Sequence, residues 1–407
     1  MSPIRVAVIA DYAEEGWASM DLVAEMLLEH LRREHQDAFA PTLIRPDMRR
    51  RFSRIPAIAR NRTFGIDRIL ARQWDYPRAM ASVAGRFDVY HIVDHTYAHL
   101  VHHLPAARTL VTCHDVDAFR SILQPREERR SAPFRWMSRR ILNGVRRAAH
   151  VACDSESTRD ALATLAGIPA TQLSVIPNGA DTGGEPDADA AADVEAARLI
   201  GSRRGVDLLH VGSTIPRKRI DVLLDVFAAV HAKRPDVRLI RVGGPFTAEQ
   251  RVRARDLGIT DAIVVLPFVD RSTLAAVYRR AAIALLPSER EGFGLPLVEA
   301  LACGTPVVAS DIPVLREVGG VAASYCPVGE TEVWRDCILQ LLTERERVPL
   351  AWRSRRHVGL ARAAEFSWSR YTDSVADLYR ELAGDSSMTR LRQAKPARNR
   401  PFAELEA

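Results

Sequence analysis

The segment from residue 283 to residue 309 constrains the fold most, because it has the pattern of a strand, a glycine loop, a helix and a second strand. The apolar runs at 283–286 and 307–309 have the length of buried strands. Pro296 suits the first turn of a helix, and Gly304 suits its end. Strands that alternate with helices form parallel sheets, so this pattern predicts a doubly wound α/β domain.

The loop within this segment predicts a ligand. Gly292 and Gly294 leave bare backbone N–H groups at a helix N-terminus, where the dipole and unpaired donors favour an anion such as a phosphate. Glu291 and Glu299 are expected to point to the crevice at the strand ends, where open parallel sheets bind ligands. Carboxylates accept hydrogen bonds from hydroxyls, so a sugar and a ribose on either side of a diphosphate fit this pair. The alternative is a glycine turn that packs two elements, with solvated glutamates.

The alternation of strands and helices extends over most of the 407 residues, a length that suits two domains. Further strands are expected at 4–10, 87–93, 108–114, 148–155, 173–181 with its loop, 207–212, 237–242 and 263–266. Residues 182–197 are rich in Gly, Ala and Asp without a strand pattern, which predicts a surface connection. Beyond Gly384 the periodicity stops, which predicts a disordered tail.

The stretch Glu291-Gly-Phe-Gly-Leu-Pro-Leu-Val-Glu299 resembles the E-x7-E motif of retaining glycosyltransferases of family 4. The flanking Ala-Cys-Gly-Thr-Pro-Val-Val-Ala-Ser makes the match specific. The resemblance covers most of residues 3–383 and implies the GT-B fold, in which two Rossmann-like, doubly wound domains face each other across a cleft. It implies these segments: an acceptor-binding domain at 1–181, a linker at 182–204, a nucleotide-sugar-binding domain at 205–365, a helix crossing back to the first domain at 366–384, and the disordered tail at 385–407.

Two cations precede another predicted helix. Arg217 and Lys218 lie where the helix dipole and two positive charges suit a diphosphate. The resemblance makes Lys218 the diphosphate-binding lysine, whereas the arginine of the family falls on Ser213. Either Arg217 supplies the second charge, or that charge comes from elsewhere. The resemblance implies that Glu291, Lys218 and His114 are catalytic.

The resemblance assigns the remaining site residues by position. His114 follows a predicted strand of the first domain, where a neutral imidazole hydrogen-bonds a sugar hydroxyl. Gly16 takes the place of a glycine loop facing the donor phosphates, and Phe268 lies where the family holds the nucleotide base. Phe293 and Leu295 complete the donor-binding loop of the motif.

Composition excludes several classes of protein. No apolar run approaches the roughly eighteen residues of a membrane span. The five scattered cysteines lack a C-x-x-C pair, and the N-terminal residues do not form a leader, so we expect a cytoplasmic protein without disulfides. The resemblance implies neither a metal nor a cofactor. Five histidines lie close in sequence, but their spacing is not typical of a metal site: His91, His95, His99, His102 and His103.

The net charge of +6 comes mostly from arginine, with one cluster in the first half. Its members are Arg45, Arg49, Arg50, Arg51, Arg54, Arg60, Arg62, Arg68 and Arg72. This cluster, with apolar residues interleaved, fits either peripheral contact with an anionic membrane or an ordinary solvated surface. Few aromatic residues accompany it, so we expect no nucleic-acid partner.

The resemblance therefore implies a retaining, metal-independent hexosyltransferase. Its donor is expected to be a nucleoside-diphosphate sugar, and its acceptor a cell-surface polysaccharide, a glycolipid or a small glycoside. Two alternatives stay open. One is a nucleotide-sugar epimerase with the same fold, and the other is a non-catalytic subunit that binds sugar nucleotides, which the departure at Ser213 keeps open.

Overall fold

The computed structural model of the protein describes residues 2–53, 60–180, 189–201 and 205–384, with residues 60–62 described by their backbone alone. The predicted tail at 385–407 lies outside the described residues, as do residues 182–188 and 202–204 of the predicted linker. Arg54 of the arginine cluster also lies outside them.

The strands within the described residues form two six-stranded sheets, ordered β2-β1-β3-β4-β5-β6 and β12-β11-β10-β7-β8-β9. In chain order the strands are β1 (Ile4–Ile9), β2 (Phe39–Ile44), β3 (Val89–Ile92), β4 (Thr109–Cys113), β5 (His150–Cys153), β6 (Leu173–Val175), β7 (Val206–Val211), β8 (Val237–Val242), β9 (Ile263–Leu266), β10 (Ile283–Leu286), β11 (Val307–Ser310) and β12 (Ala323–Cys326).

The helices connect these strands and cover the sheets. In chain order they are α1 (Ala18–Glu34), α2 (Arg60–Leu70), α3 (Tyr76–Val83), α4 (Arg120–Leu123), α5 (Ala132–Arg147), α6 (Glu156–Ala166), α7 (Ala190–Ile200), α8 (Ile220–Lys233), α9 (Ala248–Asp256), α10 (Arg271–Arg280), α11 (Leu295–Ala302), α12 (Pro313–Gly319), α13 (Thr331–Arg347), α14 (Pro349–Ala363) and α15 (Trp368–Ala383). A π-helical turn, Ala71–Asp75, joins α2 to α3. No helix of the described residues is long and apolar enough to cross a membrane.

Both sheets have the order of a doubly wound fold. β1 pairs in parallel with β2 and β3, and β10 pairs in parallel with β7 and β11. In each sheet the strand order reverses next to the first strand, between β1 and β3 in one and between β7 and β10 in the other. Ligands of such sheets bind at this reversal, beyond the carboxyl ends of the strands. The predicted fold class is confirmed.

Alternate residues of the second sheet face two different apolar layers. Leu208 and Leu239 belong to one buried cluster, and Leu209 and Ile240 belong to the other. Side chains of a strand alternate between its faces, so a run of apolar residues buries both faces under helices. This burial explains why the continuous apolar runs in the sequence became the central strands.

The chain divides into two compact units. Unit 1 consists of the described residues up to Thr112, of Arg139–Val151 and of those from Thr372 onward, whereas unit 2 consists of Cys113–Ser138 and Ala152–Tyr371. This division differs from the predicted boundary at residue 181, because the segments after β4 and β5 are grouped with the second half. Contacts within unit 2, described below, explain that grouping.

Several elements are absent from the sequence prediction, among them β2, β12 and α7. β2 and β12 are each one of the two outer strands of their sheet, and β2 contains Pro41 and mostly exposed or half-buried residues. α7 lies within the predicted linker at 182–204. It buries Ala192, Ala196 and Ile200, which are four residues apart and pack into an apolar cluster of unit 2. This part of the linker is therefore a packed helix, because alanines at helical spacing form an apolar face.

Candidate active site

The loop between β10 and α11 is shaped by two close approaches at its glycines. A Cβ atom at Gly292 would lie 1.7 Å from the carbonyl oxygen of His114, and one at Gly294 would lie 2.7 Å from the Leu315 side chain. Gly294 also adopts the left-handed conformation, with φ of 94°, directly before α11. Only glycine satisfies these positions without displacement. The glycines of the motif therefore place the loop against the end of β4.

Glu291, at the start of this loop, forms the centre of an ion cluster. Its carboxylate accepts hydrogen bonds from Lys218 Nζ at 2.5 Å, from Arg217 Nη1 at 3.1 Å and from Ser288 Oγ at 2.7 Å. Burial disfavours the charge, but Lys218 and Arg217 outweigh it and hold the pKa of Glu291 below the usual glutamate range. Glu291 is therefore a charged carboxylate at neutral pH.

Arg217 and Lys218 reach Glu291 from a short turn, Pro216–Lys218, between β7 and α8. Lys218 is largely buried, with 12% of its side chain exposed. Arg217 also lies 3.6 Å from Asp115 and 3.4 Å from Asp117. Burial disfavours its charge, yet the surrounding carboxylates raise the pKa of Arg217. Three acids thus share Arg217, whereas Lys218 forms its ion pair with Glu291.

His210 lies in β7 beside this cluster and was not predicted. The imidazole is buried, and a Cβ atom at Gly212 would lie 3.3 Å from its ring. Burial, with the nearby cations Arg241 and Lys218, lowers the pKa of His210 to about 3. The ring is therefore neutral at physiological pH and adds no charge to the cluster.

Glu299 lies in α11 with a different partner. The hydroxyl of Tyr278 donates a hydrogen bond to Glu299 Oε2 at 2.9 Å. Burial, and then the Glu299 carboxylate, raise the pKa of Tyr278 well above the usual tyrosine range, so Tyr278 stays a donor. The second acid of the motif is thereby oriented by a neighbouring helix, α10.

His114 follows β4 directly and lies next to the Glu291 loop. Its carbonyl oxygen faces Gly292, as described above, and Ser155 Oγ donates a hydrogen bond to the carbonyl oxygen of Gly292 at 2.7 Å. The His114 Nδ1 atom lies 2.6 Å from Asp154 Oδ2. Within unit 2, the ends of β4 and β5 therefore contact the loop that carries Glu291.

Two family models match this chain. The model described as Glycosyltransferase Family 4 matches residues 22–183, and the model described as Glycosyl transferases group 1 matches residues 205–344. The chain belongs to glycosyltransferase family 4. The predicted family membership is thus confirmed over most of the described residues.

Sequence relatives of this family 4 chain share a part of its length. It is 33% identical over 235 residues to D-inositol 3-phosphate glycosyltransferase of Segniliparus rotundus, which is 55% of this chain and 50% of that protein. It is 38% identical over 195 residues to the protein of the same name in Mycobacteroides abscessus, which is 43% of this chain and 39% of that protein. The aligned region thus spans about half the length or less of these curated relatives.

Solved structures confirm the GT-B fold. Sucrose-phosphate synthase from Thermosynechococcus elongatus matches with a TM-score of 0.71 and 19% identity, over 94% of this chain and 100% of that one. Anabaena HepE in complex with UDP and glucose matches with a TM-score of 0.67 and 18% identity, over 92% and 99% of the two chains. At these identities the likeness shows the fold alone.

The other predicted donor-site residues of this family 4 member differ in how far they are exposed to solvent. Phe268 is 73% exposed, and a Cβ atom at Gly244 would lie 3.8 Å from its ring. Phe293 is instead buried and packs edge-on against Phe366, with ring centroids 5.6 Å apart. Leu295 is half-buried and packs against the apolar cluster that contains Phe293 and Phe366.

None of the described hydrogen bonds and ion pairs of the ion cluster involves Ser213 or Gly16. Ser213 is half-buried in the loop that follows β7. Gly16 lies in unit 1 and ends a turn in the left-handed conformation, with φ of 67°. The roles of both residues stay predictions.

The sequence-adjacent histidines have separate partners. His91 bonds Tyr379 and Thr112, both at 2.7 Å, whereas His99 Nε2 bonds the carbonyl oxygen of Arg72 at 2.7 Å. Among the described residues, no three His, Cys, Asp or Glu side chains are grouped as metal ligands.

The predicted arginine cluster is partly paired within unit 1. Arg45 bonds Asp21 at 2.5 Å, Arg51 bonds Asp75 at 2.7 Å, and Arg72 donates to the carbonyl oxygen of Thr96 at 2.7 Å. The side chains of Arg60 and Arg62 lie outside the described part. Arg49 and Arg50 are exposed, as are four large apolar residues nearby in sequence: Phe52, Ile66, Ile69 and Trp74.

Proposed function

We propose that the protein is a retaining glycosyltransferase that moves a hexose-type sugar from a nucleoside-diphosphate sugar to an acceptor hydroxyl. The observation that carries this proposal is the ion cluster in which Lys218 and Arg217 meet Glu291 at the loop before α11. Family membership supports it, as do the names of the relatives and the complex of HepE with UDP and glucose.

The cluster supplies the chemistry that a departing diphosphate needs. Lys218 and Arg217 provide positive charge, and the N-terminus of α11 provides backbone donors. A diphosphate competes with Glu291 for the Lys218 ammonium. When the Lys218 ammonium group bonds the diphosphate instead, Glu291 becomes available to accept hydrogen bonds from sugar hydroxyls. Positive charge stabilises the leaving group as negative charge develops during bond cleavage.

Neighbouring residues complete the proposed donor site. Glu299 accepts hydrogen bonds from the ribose, and the exposed ring of Phe268 stacks on the base. His114 bonds a hydroxyl of the transferred sugar. Since Lys218 and Arg217 supply the charge, the reaction needs no metal ion and no cofactor. Retention follows from front-side attack by the acceptor, assisted by the departing phosphate, as the family resemblance implies.

A donor panel tests this proposal against its alternatives. The protein is incubated with UDP-, GDP- and ADP-linked hexoses, with and without acceptors, and free nucleoside diphosphate is measured. The acceptors include D-inositol 3-phosphate, which the names of the relatives print. We expect release from at least one donor. An epimerised sugar still joined to its nucleotide supports the epimerase, and binding with every donor intact supports the non-catalytic subunit.

We also propose that the protein is cytoplasmic and that exposed residues of unit 1 contact anionic membranes. Ile66, Ile69 and Trp74 are 48%, 46% and 58% exposed along the run from α2 to α3. The exposed Arg49 and Arg50 precede them and carry charge that suits anionic headgroups. Each basic residue at such a surface contributes about 1 kcal/mol.

Vesicle sedimentation at low salt tests this contact. We expect the protein to sediment with vesicles containing phosphatidylglycerol and to be released by salt. The double variant Arg49→Ala, Arg50→Ala and the variant Trp74→Ser should both weaken binding. Arg345→Ala with Arg347→Ala, at the exposed end of α13, is the charge-matched control. If the wild type and the Arg49, Arg50 variant stay equally in the supernatant, the basic segment is a solvated surface only.

A further inference from the structure

Three polar side chains follow three neighbouring strands of the first sheet and are joined by hydrogen bonds. His114 comes directly after β4, Asp154 comes directly after β5, and Asn178 follows β6. All three belong to unit 2 and are buried, at 5%, 2% and 2% exposure. Buried polar groups are costly unless they are bonded, so this arrangement specifies a geometry.

Both bonds converge on one carboxylate oxygen. The His114 Nδ1 atom lies 2.6 Å from Asp154 Oδ2, and Asn178 Nδ2 donates to the same oxygen at 2.9 Å. A carboxylate only accepts hydrogen bonds, so the hydrogen resides on Nδ1 of the imidazole. In the neutral ring the other nitrogen, Nε2, is then an acceptor. Any group that bonds Nε2 of the neutral ring must therefore donate a hydrogen.

The cluster contacts the loop that carries Glu291. The carbonyl oxygen of His114 would lie 1.7 Å from a Cβ atom at Gly292, and Ser155, next to Asp154, bonds the carbonyl oxygen of Gly292 at 2.7 Å. The position of His114 is thus fixed relative to this loop within unit 2. The bond to Asp154 fixes the ring itself.

We propose that Asp154 and Asn178 are positioning residues, which hold His114 in the Nδ1-protonated form so that Nε2 recognises a hydroxyl of the transferred sugar. The identity of this hydroxyl-bearing ligand rests on the proposed function, whereas the control of the tautomer does not. The arrangement makes the site selective for a sugar that donates a hydrogen bond at that position, since an ether or a deoxy carbon there has no hydrogen to donate.

The role of Asn178 gives the test its sharpest control. In Asp154→Asn, either the oxygen or the NH2 group of the new amide can occupy the former Oδ2 position. In the observed orientation of Asn178, its NH2 group requires the oxygen of the new amide at the former Oδ2 position, because two NH2 groups do not bond each other. Asp154→Asn should therefore keep His114 protonated on Nδ1. In Asp154→Asn with Asn178→Ala this constraint is gone, and in Asp154→Ala the acceptor is gone.

Nitrogen-15 NMR of the imidazole, at a pH where the ring is neutral, reads the tautomer directly. The His114 signals are assigned by their loss in His114→Gln. We expect Nδ1 protonation in the wild type and in Asp154→Asn, and a mixture of tautomers in Asp154→Ala and in the Asp154→Asn, Asn178→Ala variant. The same tautomer in Asp154→Ala as in the wild type would overturn the proposal, and thermal melting confirms that each variant is folded.

A double-mutant cycle then tests whether the positioning acts through His114. We expect Asp154→Ala to lower kcat/KM for the donor by about tenfold or more, less than the 10⁴-fold loss for a triad aspartate whose histidine moves a proton. In the His114→Gln background the same change should cost less than about threefold, because the interaction is already absent. Equal losses in both backgrounds contradict the proposal. If no donor is turned over by the wild type, the proposed function fails, while the NMR result still decides the tautomer.

Discussion

Replacing Lys218 by methionine tests the ion cluster, because it removes one charge and keeps most of the side-chain volume. In the structure Lys218 bonds Glu291 at 2.5 Å, and Arg217 is shared among Glu291, Asp115 and Asp117. Arg290 also lies 3.3 Å from Asp117, so three cations face three carboxylates, and the substitution leaves two cations against three. A diphosphate then meets excess negative charge, and the leaving group loses a charged donor.

The expected magnitude follows from the cost of removing one preorganised donor. Such a loss lowers kcat by about 10² to 10³-fold, so we expect at least a hundredfold decrease for Lys218→Met. The assay is the initial rate of nucleoside-diphosphate release at saturating donor. Lys233→Met, at the exposed far end of the same helix α8, makes the same chemical change outside the cluster and should stay within about twofold. If Lys218→Met retains a third or more of the wild-type kcat while remaining folded, the assignment of Lys218 is refuted.

Four further outcomes are expected. Glu299→Gln should mainly raise the donor KM, because a ribose contact is equally strong in the ground and transition states; a loss confined to kcat contradicts this role. EDTA should leave the rate unchanged, and activity that is abolished by EDTA and restored by magnesium or manganese refutes metal independence. Gly292→Ala should lower the melting temperature and the rate together, because its Cβ would lie 1.7 Å from the His114 carbonyl oxygen; an unchanged melting temperature argues against that contact. Because the pKa of His210 is about 3 in the folded protein and near 6.5 when unfolded, its contribution to stability is present above pH 6.5 and lost as the pH falls. The wild type should lose about 1 kcal/mol more unfolding free energy than His210→Gln between pH 6 and pH 5, as measured by urea denaturation, and parallel pH profiles contradict this.

The strands could be predicted from sequence where burial is complete. β8 and β10 have the predicted bounds because an apolar run buried on both faces has a clear beginning and end. β9 also has the predicted bounds, although it is an outer strand in which Leu266 is the one buried residue. The edge strand β2 has few buried residues, so its pattern does not differ from that of a loop. α7 was missed because its alanines resemble a small-residue linker, and its contacts with α10 and β9 make them a core face.

The site shows the same limit. Glu291 and Lys218 each belong to a local sequence motif. The two residues are 73 positions apart, and the structure shows that they form a hydrogen bond. No role was predicted for Asp117, Asp154 or Asn178, because each acts through a partner that a distant loop supplies. Periodicity predicts strands and helices, but it does not indicate which loops meet at the strand ends. The order of the strands supplies that information.

The discontinuous composition of unit 1 has a consequence for how the protein is made. β1 and β3 are synthesised early, yet His91 of β3 bonds Tyr379 of α15, and Phe39 packs against the same ring at 5.7 Å. These partners emerge only after the whole of unit 2 has been translated. At about 5–20 residues per second the delay is on the order of tens of seconds. During that interval the nascent first sheet exposes the apolar surface that α15 later covers, and chaperone contact is expected there.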